Sequence, residues 1–282
     1  MTCNKSCDSP KYENMRTDKT SRLGGFTLIE LLVVIGVIGV LAALVLPALS
    51  KAKDSARRVK CLSNQKQWYL GFIHYVDDHE GFTPWEGAEP FGDVSRNTWG
   101  QVSGTILPDG RRDSDEVWYN ALPPLIGQPS AYTYAPPSKR KHFYETGNIM
   151  QCPSARFPAD AYRLNYQFAL FSLAMNSQLV QFGEGPTMNF NRIADTARTV
   201  IFLDNLLEGE QKVDPKQEID DLGQPSAYAD RFSARHRRQG NLTFADGHGE
   251  SFLGHKVVET SPDSPLRGGP IVPPGDILWD VD

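Results

Sequence analysis

The stretch Gly24-Gly25-Phe26-Thr27-Leu28-Ile29-Glu30 decides the fold, and it continues without a break into LLVVIGVIGVLAALVLPAL, which ends at Leu49. Glu30 is the only ionisable side chain between Phe26 and Leu49. About 24 residues at a rise of 1.5 Å form a helix of roughly 36 Å, which is long enough to cross a bilayer. The stretch therefore predicts a membrane-spanning helix over residues 26–49.

Glu30 is the anomaly in this helix, because a carboxylate near one end of a lipid-spanning segment is costly without a partner. A cation at the start of a helix is the obvious partner. The alternatives are an ordinary signal anchor with an accidental glutamate and a cleaved secretory signal. The apolar run is longer than the about 7 to 15 residues of a secretory signal, and no small-x-small site follows it.

The string from Arg22 to Glu30 resembles the processing site of type IV prepilins and type II secretion pseudopilins. The resemblance implies that a prepilin peptidase cuts between Gly25 and Phe26 and that the new amine of Phe26 is methylated. It also implies that Glu30 neutralises the terminal amine of a neighbouring pilin-like subunit. The expected location is the bacterial inner membrane, with a single pass through its lipid, the leader in the cytoplasm and the C-terminal domain in the periplasm.

The net charge and the length indicate that the chain after the membrane segment forms a globular part. The 282 residues carry a net charge of −5, and the leader holds five cations and three acids, so the mature chain would carry −7. An acidic chain of this kind is not expected to bind nucleic acid. Removing the leader and the membrane segment leaves roughly 230 residues, which is ample for a hydrophobic core.

The four cysteines divide evenly between the two parts of the chain. Cys3 and Cys7 lie in the leader, while Cys61 and Cys152 lie in the mature part, which the resemblance places in an oxidising compartment. We expect Cys61 and Cys152 to form a disulfide, and the alternative is that both are free and only pack. Cys152 followed by Pro153 is weak evidence for zinc, and no metal or other cofactor is expected.

The membrane helix is expected to continue as an amphipathic helix over residues 50–76. Apolar residues keep a spacing of three and four, interrupted only at Gln65 and Lys66. They are Leu49, Ala52, Ala56, Val59, Leu62, Tyr69, Phe72, Ile73 and Val76. A cluster of five cations between Lys51 and Lys60 forms either a solvated face or a site for acidic headgroups.

Residues 77–260 predict a globular domain that begins with short strands and long loops. Its aromatic residues could stack on sugars or lie in the core; they include Trp85, Phe91, Trp99, Trp118, Tyr119, Tyr132 and Tyr134. The β-branched run Thr199–Asp204 predicts a strand. Asp214, Glu218, Asp220 and Asp221 crowd one loop, but their spacing matches no EF-hand and favours a solvated loop over a calcium site.

Residues 239–253 predict a β-hairpin, because Leu242 and Phe244 alternate with polar residues and Asp246-Gly247 favours a turn. The preceding His236 and this turn resemble the H-X9-DG signature of a group of prepilin-like proteins. The group also shows a cysteine followed by Asn-Gln-Lys-Gln, as at Cys61 and residues 64–67, and a later Cys-Pro-Ser, as at residues 152–154.

A catalytic or metal site is the chemical alternative at this C-terminal signature. The candidates are His236, Asp246, His248 and His255, but no nucleophile lies near them in sequence. We expect no catalytic residue, and we expect His236 to hydrogen-bond into the hairpin. The tail of residues 261–282 is rich in Pro and Gly, with Ile277-Leu278-Trp279 as a candidate apolar anchor.

The sequence as a whole predicts an α+β protein. A leader of residues 1–25 precedes a long N-terminal helix, which packs with its second half on a small antiparallel sheet, as in pilins. The resemblance implies a pseudopilin-like subunit of a filament for type II protein secretion. The alternatives are a minor type IV pilin or surface filament subunit that binds polysaccharide and, less consistent with the sequence, a membrane-anchored enzyme.

Overall fold

A computed structural model describes residues 27–85, 98–145, 147–163, 166–179, 188–213, 222–227, 229–258 and 277–279. The leader, the predicted cleavage site at Gly25 and Phe26, the acidic loop of residues 214–221 and most of the tail lie outside the described residues. The chain divides into two compact units, residues 1–49 and residues 50–282, and each is described by itself.

The first unit consists, as far as it is described, of the start of a long helix, α1 (Leu28–Asp78). A capping box begins α1, because the backbone N–H of Thr27 donates to Glu30 Oε2 at 2.9 Å and the Glu30 N–H donates to Thr27 Oγ1 at 3.3 Å. All residues from Leu28 to Leu49 are exposed, including their large apolar side chains. This is the helix that the apolar run predicts.

In the second unit, α1 buries one face from Cys61 to Val76. The buried positions fall every three or four residues, and the largest fully buried side chains among them are Trp68 and Phe72. The predicted stripe is wrong at its start, because Ala52, Ala56 and Val59 are exposed. The predicted interruption at Gln65 is also wrong, since that side chain is fully buried in a hydrogen-bond network.

A five-stranded sheet forms the other half of the second unit. The strands are β1 (Leu173–Asn176), β2 (Val200–Asp204), β3 (Ser226–Ala227), β4 (Gln239–Phe244) and β5 (Gly249–Leu253), in the spatial order β3-β1-β2-β4-β5. Neighbours are antiparallel except β1 and β3, which are parallel, so the sheet is mixed. The predicted strand and hairpin are confirmed as β2 and as the β4-β5 pair.

Four short helices complete the described secondary structure, apart from 3₁₀ turns: α2 (Trp99–Ser103), α3 (Trp118–Leu125), α4 (Arg140–Phe143) and α5 (Gly254–Val257). The prediction of short strands before residue 148 is therefore wrong for α2, α3 and α4. At α2 the missed signal is local, because Thr98 and Gln101 form a reciprocal capping box.

Both faces of the central strand β2 are covered by apolar side chains. One core joins the buried face of α1 to α3 and to Ile201 and Phe202. A smaller core on Val200 and Leu203 includes Phe232, Phe244, Val257, Ile277 and Trp279. Burial on both faces leaves no solvent-facing side chain in β2, which explains how its last residue, Asp204, is fully buried.

Candidate functional site

Four polar side chains from distant parts of the chain meet in the interior of the second unit. Cys61 lies on α1, and Cys152 lies in a loop between α4 and β1. Asp204 is the last residue of β2, and His236 lies three residues before β4. Their exposed fractions are 0%, 3%, 0% and 3%, respectively. We call these residues the Cys-Cys-Asp-His cluster.

The potential ligand atoms of the Cys-Cys-Asp-His cluster all lie within 4.8 Å of one another. The Cys61 thiol donates to Asp204 Oδ1 at 2.9 Å, and Cys152 Sγ lies 3.3 Å from His236 Nε2. His236 Nε2 lies 3.6 Å from Asp204 Oδ2. Two sulfurs, one imidazole nitrogen and one carboxylate therefore surround a single point in the interior.

The protonation of the cluster is uneven. Burial raises the pKa of the Cys61 thiol well above its usual range, and burial together with the charge of Cys152 raises the pKa of Asp204 to about 6. Burial also opposes ionisation of Cys152, but contacts with Cys61 and His236 and the charge of Arg235 hold its pKa well below the usual range. These directions favour a thiolate at Cys152 and a thiol at Cys61.

His236 faces Cys152 through its ring nitrogen Nε2. Burial lowers the pKa of His236, but the hydrogen bond to Cys152 and the charge of Asp204 outweigh it and raise the pKa above its usual value. Its other ring nitrogen, Nδ1, has no hydrogen-bond partner among the described residues. The described contacts of the His236 ring are therefore made by Nε2, the nitrogen that faces Cys152 and Asp204.

A second layer of hydrogen bonds fixes the carboxylate of Asp204. Gln65 Nε2 donates to Oδ1 at 3.1 Å, and the backbone N–H of Asn241 donates to Oδ2 at 2.8 Å. Gln65 is itself oriented by Thr243, whose hydroxyl donates to Gln65 Oε1 at 2.8 Å. The helix α1 and the hairpin thus position Asp204 from two sides.

Hydrogen bonds also hold the loop that carries Cys152. Asn64 Nδ2 donates to the carbonyl of Gln151 at 3.2 Å, and Trp68 Nε1 donates to the carbonyl of Ile149 at 2.9 Å. The backbone N–H of Cys152 donates to Ser172 Oγ at 2.6 Å. Residues of α1 therefore hold the segment that precedes Cys152, and the sulfurs of Cys61 and Cys152, which belong to the two internal points of the sequence resemblance, lie within 4.8 Å of each other.

A buried ion pair lies beside the cluster. Arg235 Nη2 lies 2.8 Å from Glu210 Oε2, and their side chains are 4% and 6% exposed. Arg235 Nη1 also donates to the carbonyl of Ser172 at 3.1 Å. Burial lowers the pKa of Arg235, but the charge of Glu210 outweighs this and raises it. The pair brings no net charge to the interior.

The structure places Cys61 and Cys152 together, as the disulfide prediction requires, but both are free thiols. The disulfide stays a prediction. His236 exchanges backbone hydrogen bonds with Gln239 at the hairpin, while its side chain turns into the cluster. Sequence reasoning missed Asp204, and the only available signal was an acid directly after the apolar run Val200–Leu203.

The other C-terminal candidates, Asp246, His248 and His255, are not members of the Cys-Cys-Asp-His cluster. Asp246 and His248 form an exposed pair, with Asp246 Oδ1 at 2.6 Å from His248 Nδ1. Gly247 occupies the turn with a φ of +84°, and its carbonyl accepts from Lys66 Nζ at 2.6 Å. His255 lies in the short helix α5.

The aromatic residues considered for sugar binding lie mostly in the core. Trp99, Trp118 and Tyr119 are at most 2% exposed. Trp85, Tyr132 and Tyr134 are half-buried, and Phe91 lies outside the described residues. These side chains therefore pack the domain, and the described part of the chain offers no stacking face built from them.

The long apolar helix and the α+β domain define the class as a membrane-anchored pilin-like protein. A model of the prokaryotic N-terminal methylation motif matches residues 21–46. A family model described as protein of unknown function (DUF1559) matches residues 50–210, which is more than half of the chain. The chain belongs to this pilin-like family, as the resemblance to prepilins predicted.

No curated protein and no solved structure matches the chain. Neither family match reaches the hairpin, so the likeness to the H-X9-DG signature remains a resemblance. The methylation motif implies processing by a prepilin peptidase and assembly with pilin subunits. Together with the one helix among the described residues that is long and apolar enough to span a membrane, it gives the chain the membrane anchor of prepilins.

Proposed function

We propose that the chain is a pseudopilin-like structural subunit of a filament that serves type II protein secretion. A prepilin peptidase would remove residues 1–25 on the cytoplasmic side of the inner membrane and methylate Phe26. The domain from Ser50 onward would face the periplasm. The role is structural, and no catalytic residue is assigned.

The observation that carries the proposal is the complete exposure of α1 from Leu28 to Leu49. Side chains such as Leu28 at 87% and Leu44 at 71% expose far more apolar surface than a soluble monomer presents. Lipid covers such a surface in the membrane, and helices of neighbouring subunits can cover it in a filament. An anchor alone would need only the lipid, so Glu30 provides the discriminating test.

Glu30 caps its own helix, and we assign it a second role in the proposed filament. Its carboxylate accepts hydrogen bonds from the N–H and, at 2.7 Å, the hydroxyl of Thr27, so it caps its own helix. In a filament it would also neutralise the amine of a neighbour's Phe26, since a paired charge is tolerable in an apolar bundle and an unpaired one is not. Glutamine at this position preserves the capping box and removes the charge.

The experiment compares wild type, Glu30→Gln and Glu30→Val in cells that contain the peptidase. The intact mass of membrane-extracted protein should show loss of residues 1–25 and one added methyl group for all three. Wild type should crosslink to neighbouring subunits, and both variants should lose this crosslinking while inserting normally. Retained crosslinking in Glu30→Gln would show that capping is sufficient and would refute the pairing.

The secretion role is tested by deleting the gene and measuring type II substrates. They should accumulate in the periplasm and reappear outside the cell on complementation with wild type but not with Glu30→Val. Unchanged secretion with loss of polysaccharide binding at the surface would overturn the proposal in favour of the surface-filament alternative.

A further inference from the structure

The Cys-Cys-Asp-His cluster contains the donor atoms of a metal centre, although the pilin-like role requires none. We propose that Cys61, Cys152, Asp204 and His236 bind one zinc ion in a closed structural site. The inference is independent of the secretion role, because it concerns how the domain is held together.

The distances suit tetrahedral coordination. Bond lengths of about 2.3 Å to sulfur and about 2.0 Å to nitrogen or oxygen place neighbouring ligand atoms roughly 3.3 to 3.8 Å apart. The Cys152–His236 distance of 3.3 Å and the His236–Asp204 distance of 3.6 Å fall in this range. The Cys61–Asp204 distance of 2.9 Å is that of a hydrogen bond, and it would open when zinc replaces the thiol proton.

The donor set selects the metal. Thiolate and imidazole ligands suit zinc, whereas calcium and magnesium require several oxygen ligands, and this cluster offers one carboxylate. Binding would release to solvent the Cys61 proton and any proton on His236 Nε2, and it would leave two thiolates, a neutral imidazole and a carboxylate around a divalent cation. The outer layer is also built, because Gln65 and the Asn241 N–H hold Asp204.

A disulfide explains less of this arrangement than a metal does. It would use both sulfurs and would remove the thiol proton that Cys61 donates to Asp204 Oδ1. Asp204 and His236 would then remain buried without a role for their convergence on the sulfurs. A metal uses all four side chains and joins α1, the Cys152 loop, β2 and the turn before β4.

The first measurement uses the full mature chain purified from membranes in detergent, with thiols alkylated at lysis in one half of the sample. We expect one equivalent of zinc per chain by elemental mass spectrometry. Exchange with Co²⁺ should produce the visible absorption of a tetrahedral site and a near-ultraviolet thiolate-to-cobalt band. Chelation should lower Tm, and zinc but not magnesium should restore it.

Variants assign the ligands. Cys152→Ser and His236→Ala should lose the zinc and the cobalt spectrum, whereas His248→Ala, which changes an exposed histidine paired with Asp246, should retain both. Gln65→Leu removes the hydrogen bond to Asp204 and should weaken zinc affinity by about 10- to 100-fold. If a ligand variant does not fold, the thiolate-to-cobalt band of the wild-type protein decides whether the cysteines bind the metal.

Two results would overturn the proposal. One is a metal-free wild-type chain in which Cys61 and Cys152 are resistant to alkylation and joined in one disulfide-linked peptide. The other is bound cobalt without a thiolate band, or zinc that survives in a folded His236→Ala variant. The first result would establish the disulfide that the cysteine count predicts.

Discussion

At the scale of single residues, the pair of Arg235 and Glu210 shows how the domain accommodates charge in its interior. Both side chains are almost fully buried, and Glu210 also accepts from Ser233 Oγ at 3.1 Å and from the Leu207 N–H at 3.2 Å. Taking two charges out of water is costly, so such a pair adds little stability over an apolar one. Removing one partner is a different matter, because the other charge then stays buried alone.

Glu210→Gln should therefore destabilise the domain. The amide keeps the size of the side chain but leaves the Arg235 guanidinium without its counter-charge, which costs about 3 kcal/mol in the free energy of unfolding. Denaturant unfolding measures the change. Asp160→Asn is the control, since it breaks an ion pair with Arg163 whose side chains are 59% and 70% exposed, and it should have little effect. Equal effects of the two variants would contradict the prediction.

At the scale of elements, the β4-β5 turn is shaped to fit against α1. Gly247 has a positive φ of +84°, and a Cβ there would lie 2.3 Å from Tyr69 Cε1 on the helix. The Tyr69 hydroxyl donates to the carbonyl of Ala245 at 2.7 Å, and Lys66 donates to the carbonyl of Gly247. The glycine thus serves the backbone conformation and the close approach at once.

Gly247→Ala should cost more than the same change at Gly209. Gly209 has nearly the same φ, +82°, but no atom lies within 4 Å of the position that an added Cβ would take, so only the backbone cost of about 1 to 2 kcal/mol applies. At Gly247 the contact with Tyr69 adds about 1 to 3 kcal/mol. Thermal unfolding of both variants gives the difference.

The excess cost at Gly247 has its own control. In a Tyr69→Ala background the ring is absent, so Gly247→Ala and Gly209→Ala should then destabilise the domain by similar amounts. An excess that persists without the ring would show that the close approach is not its cause.

At the scale of the whole molecule, the two units have different requirements. Residues from Leu28 to Leu49 are exposed throughout, whereas the unit from Ser50 onward contains both hydrophobic cores and the Cys-Cys-Asp-His cluster. The match to the DUF1559 family model also begins at residue 50. Both described hydrophobic cores therefore lie within this unit.

A protein comprising residues 50–282 should therefore fold without a membrane. We expect a soluble monomer with cooperative unfolding, because among the described residues the continuous run of exposed large apolar side chains lies in the removed segment. Light scattering and circular dichroism check this, with the full mature chain in the absence of detergent as the comparison that should aggregate. An aggregated or unfolded 50–282 protein would show that the first unit contributes to the fold.

The sequence by itself determined those features that depend on local pattern. The apolar run with its single Glu30 identified the membrane helix, the alternation around Leu242 and Phe244 identified the hairpin, and the β-branched run ending at Asp204 identified β2. Each of these signals lies within about 25 neighbouring residues, because helix and strand periodicities are properties of a continuous segment.

Only the tertiary structure decided whether isolated polar residues are buried and which side chains they contact. Gln65 interrupts an apolar stripe, and Asp204 ends an apolar strand, but their burial follows from which surfaces pack together. Cys61 and His236 are 175 residues apart, and no local pattern brings them into one cluster. A buried polar side chain needs a partner, and that partner is supplied by packing between segments that only the folded chain brings into contact.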